Sequence, residues 1–318
     1  MTVEFGLALE NFTPERKVPD MDAIMAYSLT AEELGFASVW AWDHLFLGAR
    51  RPFPFLEALT TLSMVAARTS RIMLGTGILV LPIREPAIVA KTAATLQLGS
   101  GGRLMLGVAA GWYEREFDAT AVPFRQRGQI FERNLDMMFR LWADDDVTGE
   151  WDGRVLKHVR MLPLPRPRPQ VLIGGYVDQV LRRVATRGDG WVTYFYTAES
   201  VVGAWSRIRG YAEQAGRDPG QLNVVAQVPL CIGSSYEEAT RQAREYVGEY
   251  FDVPAWSDAT PESAVRGTPE QCAEQIAAFI DAGVRHLVFC PYNYQTEQMH
   301  RLAAEVLPLL GGIRAGAA

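Results

Sequence analysis

Asp43 and His44 form the most evident pair of residues for proton chemistry in this sequence. They follow a short apolar segment, and an imidazole, with an ordinary pKa of about 6.5, can donate or accept a proton near neutral pH. Adjacent side chains on an extended backbone can point apart, so a loop histidine bonded to backbone is the alternative interpretation. Glu10 follows the first apolar segment of the chain and is either a site carboxylate or a solvated one.

Glycine-rich turns indicate a second kind of chemistry, the binding of anions by backbone N–H groups. Gly174 and Gly175 stand between a predicted strand and a predicted helix, where N–H groups can bind phosphate and glycine lets the anion approach closely. A plain tight turn explains the same pair. The glycines of 75–77 and 107–111 lack the spacing of a dinucleotide fingerprint, so they indicate either close contact with a ligand or barrel packing.

Three tryptophans and two arginines have two interpretations each. Trp40 and Trp42 lie two residues apart, so both could face one side of a strand, and Trp112 follows a glycine-rich loop. Large aromatic side chains are core or interface material more often than substrate contacts. Arg125 and Arg127 could bind an anion or could begin a solvated helix.

The elements that must position these residues alternate between apolar strands and helices along the whole chain. At Gly35, Gly188 and Gly283 the same junction recurs, in which glycine ends a helix and a strand follows. About eight strands, each followed by a helix, predict an α/β fold, and we favour a single (β/α)8 TIM barrel over a doubly wound sheet. The carboxyl ends of barrel strands carry the active site, so Glu10, the Asp-His pair and Gly174 are expected on one face.

Two segments interrupt this alternation and are predicted to be insertions in one barrel domain spanning 1–318. The first, at about 144–170, is proline-rich and is expected to form a small hairpin followed by an extended stretch. The second insertion is expected at about 252–267. The third strand is predicted over 71–81, with glycines that often mark a bulge, and one closing helix is predicted to carry the apolar residues of 299–310.

Composition excludes several classes of protein. The 318 residues include 31 Lys and Arg against 37 Asp and Glu, and this net charge of −6 gives no basic field for nucleic acid or an anionic membrane surface. The chain has no apolar run of about 18 residues and no signal peptide pattern. Three cysteines without a CxxC motif and scattered histidines predict a reduced cytoplasmic protein without a metal site.

Ordered motifs over nearly the whole chain resemble those of the bacterial luciferase-like flavin and deazaflavin oxidoreductases. The motifs are GLALENF at 6–12, ELGFASVWAWDH at 33–44, RIMLGTGILVLPIREPAIVAKTAATL at 71–96, SGGRLMLGVAAGWYEREF at 100–117, RPQVLIGGY at 168–176 and RRVATRGDGW at 182–191. The resemblance implies a luciferase-like (β/α)8 barrel with insertions, commonly dimeric, that binds FMN or the deazaflavin coenzyme F420 at its C-terminal mouth.

Within the family the sequence is closer to the F420-dependent oxidoreductases, and this likeness implies roles for single residues. Asp43 and His44 match an Asp-His pair whose histidine lies near the reacting ring and handles a proton. Glu10 matches a glutamate that lines the substrate end in some relatives. Gly48 stands where one subgroup has a substrate-site tryptophan, so the sugar-phosphate substrate of that subgroup is not implied.

The same resemblance implies a set of cofactor-binding residues at three strand ends. The third-strand bulge would lie behind the cofactor ring and carry a non-prolyl cis peptide at Gly77–Ile78, the next loop would lie beside the cofactor tail, and the glycine pair would take the phosphate. The residues implied are Asp43, Thr76, Gly77, Ile78, Ala110, Gly111, Trp112, Gly174 and Gly175. Ala109 departs from the glycine of many members, which would narrow the loop slightly.

Three functional hypotheses follow. The leading one is an F420-dependent oxidoreductase that moves a hydride between the deazaflavin and a small organic substrate, with His44 handling the proton. An FMN-dependent monooxygenase of the same fold, using O₂ and a reductase partner, is the alternative. A non-catalytic barrel that binds cofactor or acts as a subunit is the third. Members of the family are commonly dimeric, and helices such as 56–67 are apolar. Both observations predict a homodimer.

Overall fold

Eight parallel strands close into a barrel in this computed structural model, which describes residues 3–13, 18–48, 53–151, 153–250 and 261–311. The strands of the structure are β1 (Glu4–Ala8), β2 (Ser38–Ala41), β3 (Met73–Thr76), β4 (Leu79–Val80), β5 (Leu104–Ala109), β6 (Val147–Trp151), β7 (Arg154–Val159), β8 (Gln170–Gly174), β9 (Gly190–Tyr194), β10 (Asn223–Ile232), β11 (Val265–Gly267) and β12 (His286–Pro291). The barrel order is β1-β2-β3-β5-β8-β9-β10-β12, and pairing of β12 with β1 closes it. The predicted (β/α)8 barrel is confirmed.

Helices surround the barrel and bury one face each against it. They are α1 (Met21–Glu33), α2 (Ala58–Ala66), α3 (Pro86–Gly99), α4 (Glu114–Ala119), α5 (Arg127–Ala143), α6 (Asp178–Arg187), α7 (Ala198–Gln214), α8 (Tyr236–Tyr250), α9 (Pro269–Asp281) and α10 (Thr296–Arg301). In α5 the side chains of Phe131, Leu135, Met138 and Trp142 are buried, as their spacing of three and four residues predicts. No helix of the described ranges is both long and apolar enough to cross a membrane.

The barrel interior is filled by large side chains that need glycine opposite them. Trp40 and Trp42 both point into this interior cluster, together with Met105 and Val288. A Cβ atom on Gly75 would lie 2.1 Å from the indole of Trp40, so only glycine fits there. Packing therefore explains this glycine of the third strand.

The third strand is shorter than the predicted range of 71–81. It ends at Thr76, and the chain continues as β4 after a bulge whose Gly77–Ile78 peptide bond is cis, as the family resemblance implies. β4 then pairs with β5 beyond the bulge, so the chain changes its register at the mouth of the barrel. Position 78 is thereby left partly exposed at the mouth.

The closing helix also differs from the single helix predicted over 299–310. Only α10 is α-helical, and a π-helical turn (Leu302–Val306) and a 3-10 turn (Leu307–Leu310) follow it. Pro308 has no N–H group to donate into an α-helical turn, and this accounts for the change of helix type near the end.

The first predicted insertion, at about 144–170, contains the expected hairpin. Its strands β6 and β7 pair in antiparallel fashion apart from the barrel sheet. Of the second predicted insertion, at about 252–267, residues 252–260 lie outside the described residues. Its last three residues form β11, which pairs with the end of β10 outside the closed ring.

Candidate functional site

A cavity of about 470 Å³ opens at the carboxyl ends of β5, β8 and β9. This is the end of the barrel at which the sequence predicts the site. The lining residues are Ala109, Ala110, Gly111, Trp112, Arg125, Gln126, Arg127, Gly128, Gln129, Gly174, Gly175, Tyr176, Val177, Gln179, Val180, Arg183 and Tyr194. Five residues predicted to hold a cofactor therefore line one cavity, although they come from two loops more than 60 residues apart in the sequence.

Gly174, the last residue of β8, and Gly175 form part of the wall of this cavity, and neighbouring side chains pack closely against both glycines. A Cβ atom on Gly174 would lie 2.4 Å from Cδ1 of Ile78, so the glycine lets the third-strand bulge pack against the β8 loop. Gly175 has a φ of +131°, a backbone conformation that other residues rarely adopt. The indole N–H of Trp191 donates to the carbonyl of Gly175 over 2.9 Å and fixes this loop from behind.

His44 lies beside the cavity and is oriented by a buried carboxylate. Its Nδ1 is 3.0 Å from Oε2 of Glu116, which has no exposed side-chain surface. The other oxygen, Oε1, accepts the backbone N–H of Leu45 over 2.6 Å. Rings of Phe55 and Trp112 meet the imidazole edge to face, with centroids 5.6 and 5.7 Å away. Because Trp112 also lines the cavity, it joins the histidine to the cavity wall.

This arrangement leaves Nε2 of His44 as the ring nitrogen available for chemistry. In the described parts of the chain no hydrogen bond engages Nε2. A carboxylate on Nδ1 sets the tautomer and the orientation of the ring and stabilises its protonated form. His44 and Glu116 together can therefore exchange one proton with a molecule bound at the mouth.

Asp43 occupies a different environment from its neighbour. Its carboxylate is buried and accepts the backbone N–H of Val80 over 2.9 Å and Nη2 of Arg84 over 2.6 Å. Burial raises the pKa of Asp43, and the Arg84 guanidinium and the Val80 N–H offset part of that rise. Both oxygens are engaged in these bonds, so the side chain holds the end of β2 against the chain that follows the bulge.

Thr76 and Glu10 lie apart from the cavity. The hydroxyl of Thr76 is fully buried and donates to the carbonyl of Gly107 over 2.8 Å, which ties β3 to β5. Glu10 lines a smaller cavity of about 110 Å³, between β1, α1 and the chain after β12, with Tyr27 and Tyr294 among its neighbours. The structure thus brings Glu10 to the same end of the barrel but not to the cavity with Gly174.

A buried amide lies directly against the bulge and was not predicted from the sequence. Gln227 on β10 is 1% exposed, and its Nε2 has no hydrogen-bond partner in the parts of the chain that the structure describes. A Cβ atom on Gly77 would lie 2.3 Å from this Nε2. An unpaired buried donor is costly, so a ligand atom above the bulge is a natural acceptor for it.

Glu116 is the principal site residue that sequence reasoning missed. Its only sequence signal was its place in the motif SGGRLMLGVAAGWYEREF, three residues after Tyr113 and one before Phe117. Six-residue α4 is too short to show an apolar period, and its neighbours Glu114 and Arg115 are exposed, so nothing marked Glu116 as buried.

The other polar candidates are placed away from the site. His158 lies exposed on β7, His300 lies exposed on α10, and His286 is buried at the far end of the barrel with Nε2 2.6 Å from Oγ of Ser38. Within the described ranges no three His, Cys, Asp or Glu side chains are grouped to hold a metal ion. Burial raises the pKa of the Cys290 thiol, which favours its neutral form and a packing role.

Fold and site together define a (β/α)8-barrel protein with a cavity lined by glycines and arginines, and a histidine–carboxylate pair, at its C-terminal mouth. The sequence model of the luciferase-like monooxygenase family matches residues 3–286. The chain belongs to this family, as the ordered motifs indicate.

Individual relatives fit the same family. An F420-dependent glucose-6-phosphate dehydrogenase of Kineococcus radiotolerans is 26% identical over 317 residues, covering 89% of this chain and 91% of that protein. Among solved structures, an F420-dependent secondary alcohol dehydrogenase in complex with an F420-acetone adduct superposes with a TM-score of 0.81 at 22% identity, covering 98% and 99% of the two chains. The FMN-bound oxygenating constituent of 3,6-diketocamphane monooxygenase from Pseudomonas putida gives 0.80 at 18% identity, covering 97% and 99%. Similarity at these identities shows a shared fold.

Proposed function

We propose that the chain is an oxidoreductase that transfers a hydride between coenzyme F420 and a small organic substrate. The observation that carries the proposal is the pair of His44 with the buried Glu116, which stands next to a cavity lined by Trp112, Gly174 and Gly175. F420-dependent dehydrogenases among the relatives, matched over about nine-tenths of both chains, support the choice of cofactor.

The residues present fit a flat ring with an anionic tail. The exposed side of Ile78 and the unpaired Nε2 of Gln227 offer a surface and a donor for the ring. Gly174 and Gly175 offer backbone room for a phosphate, and Trp112 lies between these two parts. The deazaflavin, when bound, supplies a hydride carrier that reacts poorly with O₂.

The protein's own contribution is to orient the reactants and to move one proton. Glu116 fixes Nδ1 of His44, so that Nε2 gives a proton to the substrate oxygen or takes it away, according to the direction of the reaction. Asp43 keeps the strand end that carries His44 in place through its bonds to Val80 and Arg84. Phe55 and Trp112 exclude water from two sides of the imidazole.

Titration with both cofactors tests the proposal. We expect F420 to bind at micromolar or lower concentration, measured by quenching of deazaflavin fluorescence, and FMN to bind at least tenfold more weakly. Micromolar binding of FMN with no binding of F420 would contradict the proposal. It would favour the second candidate, an FMN-dependent monooxygenase, which membership of the luciferase-like monooxygenase family supports.

The two candidates also differ in their use of oxygen. An FMN-dependent monooxygenase consumes O₂ when a reductase supplies reduced FMN, whereas an F420-dependent dehydrogenase changes the deazaflavin absorbance under nitrogen. An oxygen electrode and an anaerobic spectrophotometer, used on the same preparation, separate them.

We also propose that the whole chain acts as one domain, as a cytoplasmic homodimer. A groove of about 390 Å³ between α2 and α3 supports dimerisation, because Met64, Ile88 and Leu98 on these helices are 41–65% exposed. Exposed apolar side chains concentrated on two adjacent helices are typical of a surface that a second protein chain covers.

The variant Met64→Glu is expected to shift the protein from dimer to monomer, because it would bury two carboxylates at the interface. Light scattering coupled to gel filtration at micromolar concentration measures the mass. Val202→Glu is the matched control, since it puts the same charge on an exposed valine of α7. A monomeric wild-type protein would refute the dimer.

A further inference from the structure

The cavity is lined by basic side chains, in a chain with a net charge of −6. Three of its lining residues, Arg125, Arg127 and Arg183, are arginines, and none of the lining residues of the described chain is acidic. A water molecule takes up about 30 Å³ in the liquid, so 470 Å³ is far more room than the five heavy atoms of one phosphate group need. The cavity can therefore hold an anion that extends beyond a phosphate.

One of these arginines is already neutralised within the protein. Arg183 is 4% exposed at its side chain, and its Nε and Nη2 lie 2.9 and 2.6 Å from Oε1 of Glu132. Its guanidinium also lies over the ring of Phe131. Arg183 thus forms part of the cavity wall, and the carboxylate of Glu132 balances its charge.

Arg127 is held in place without such a carboxylate. Its Nε donates to the carbonyl of Gly111 over 3.2 Å, its Nη1 donates to the carbonyl of Phe124 over 3.1 Å, and its guanidinium lies 4.1 Å from the centroid of the Phe124 ring. No acidic side chain of the described ranges forms an ion pair with it. Nη2 makes none of these bonds, so a fixed cation retains donors for a ligand.

Arg125 lies two residues earlier at the same rim and is exposed. It too forms no ion pair with any acidic residue that the structure describes. The start of the 17-residue helix α5 adds Gly128 and Gln129 to the same wall, and the partial positive charge of a helix N-terminus favours an anion there. Two unbalanced arginines and a helix start therefore face one side of the cavity.

We infer that Arg125 and Arg127 bind the carboxylates of the acidic tail of coenzyme F420, beyond its phosphate. This inference rests on the proposed function. FMN ends at its phosphate, whereas F420 continues into a lactyl group and a chain of γ-linked glutamates. With the phosphate at Gly174 and Gly175, the tail runs across the cavity toward the arginines, and this pair is what distinguishes F420 from shorter flavins.

The test compares two ligands on three proteins. The ligands are F420 and the same deazaflavin cut back to its 5′-phosphate, which keeps the ring and phosphate and lacks the tail. We expect Arg127→Gln to weaken F420 binding about tenfold and Arg125→Gln to weaken it several-fold, while the affinity for the 5′-phosphate stays within twofold of wild type. The loss should shrink as salt is raised, because screening weakens charge pairs near the surface.

Two controls separate a binding role from a structural one. Arg241→Gln removes an exposed arginine of α8, which lies outside the cavity, and should change neither affinity. Arg125→Gln disturbs no internal hydrogen bond, so it tests the inference even if Arg127→Gln unfolds the Gly111 loop. Equal weakening of both ligands, or no change with F420, would overturn the inference while leaving the proposed function intact. A wild-type protein that binds neither deazaflavin would overturn the proposed function and the inference with it.

Discussion

The variant His44→Ala is expected to lower kcat with F420 and substrate by about 100- to 10,000-fold, the usual contribution of a general acid or base. Binding of the cofactor, followed by fluorescence titration, should remain within about twofold of wild type. This separation is expected because His44 is not among the residues that line the cavity, and its Nε2 is used only when a proton moves.

Two further variants make this prediction specific. Glu116→Gln should also lower kcat, by less than His44→Ala, because the amide still meets the Leu45 N–H but no longer stabilises the protonated imidazole. His300→Ala, an exposed histidine on α10, should have no effect.

An unchanged kcat in His44→Ala would remove this histidine from the mechanism. The result that would favour a non-catalytic barrel is a wild-type protein with no redox activity with any electron donor, together with intact cofactor binding in His44→Ala.

Sequence patterns predicted the features of this protein that depend on local rules. The junctions at Gly35, Gly188 and Gly283 predicted alternating helices and parallel strands. Gly35 and Gly283 follow their helices with positive φ values of +83° and +102°, the conformation that favours glycine, whereas Gly188 ends α6 with an extended backbone and a φ of −84°. The barrel then brought Gly174 and Trp112 to one cavity, since all strands of a parallel barrel end at the same face. Position along the strands was thus enough to predict which loops meet.

The partners of the site residues could not be predicted, because they depend on contacts between distant parts of the chain. Asp43 pairs with Arg84, which lies 41 residues away, and Glu116 pairs with His44 across 72 residues. The fixed position of Arg127 depends on the carbonyl of Gly111, and the sequence left this arginine with two interpretations. Adjacency in the sequence suggested that Asp43 and His44 act together, yet the structure gives each its own partner.

The buried Asp43–Arg84 pair supports the second large prediction, a loss of stability in Arg84→Met. Asp43 is 1% exposed at its side chain and Arg84 is 15% exposed, so removal of the cation leaves a buried carboxylate without its main counter-charge. Breaking such a pair costs about 3 to 5 kcal/mol in the free energy of unfolding. Asp43→Ala should cost a similar amount, since the partly buried guanidinium then keeps the half-exposed carboxylate of Glu57 and loses its buried one.

A matched control separates the loss of a buried ion-pair partner from the loss of one carboxylate near Arg84. Glu57→Gln removes the other carboxylate near Arg84, which is 39% exposed at its side chain, and should cost less than about 1 kcal/mol. The double variant Asp43→Asn with Arg84→Met should recover part of the loss, because it leaves no unpaired charge in the protein interior.

The stability of Arg84→Met should depend on pH, and the direction of this dependence follows from the pKa of Asp43. Burial raises the pKa of Asp43 above its ordinary value of 3.8, and without Arg84 the largest effect that opposes this rise is lost. The folded protein then binds more protons than the unfolded chain, so stability is fully retained below 3.8 and is lost as the pH rises through the raised pKa. Urea denaturation at pH 5 and pH 8 should therefore show a larger difference between Arg84→Met and wild type at pH 8. A difference that is equal at both pH values would mean that Asp43 remains charged without its partner, stabilised by the Val80 N–H and by His44.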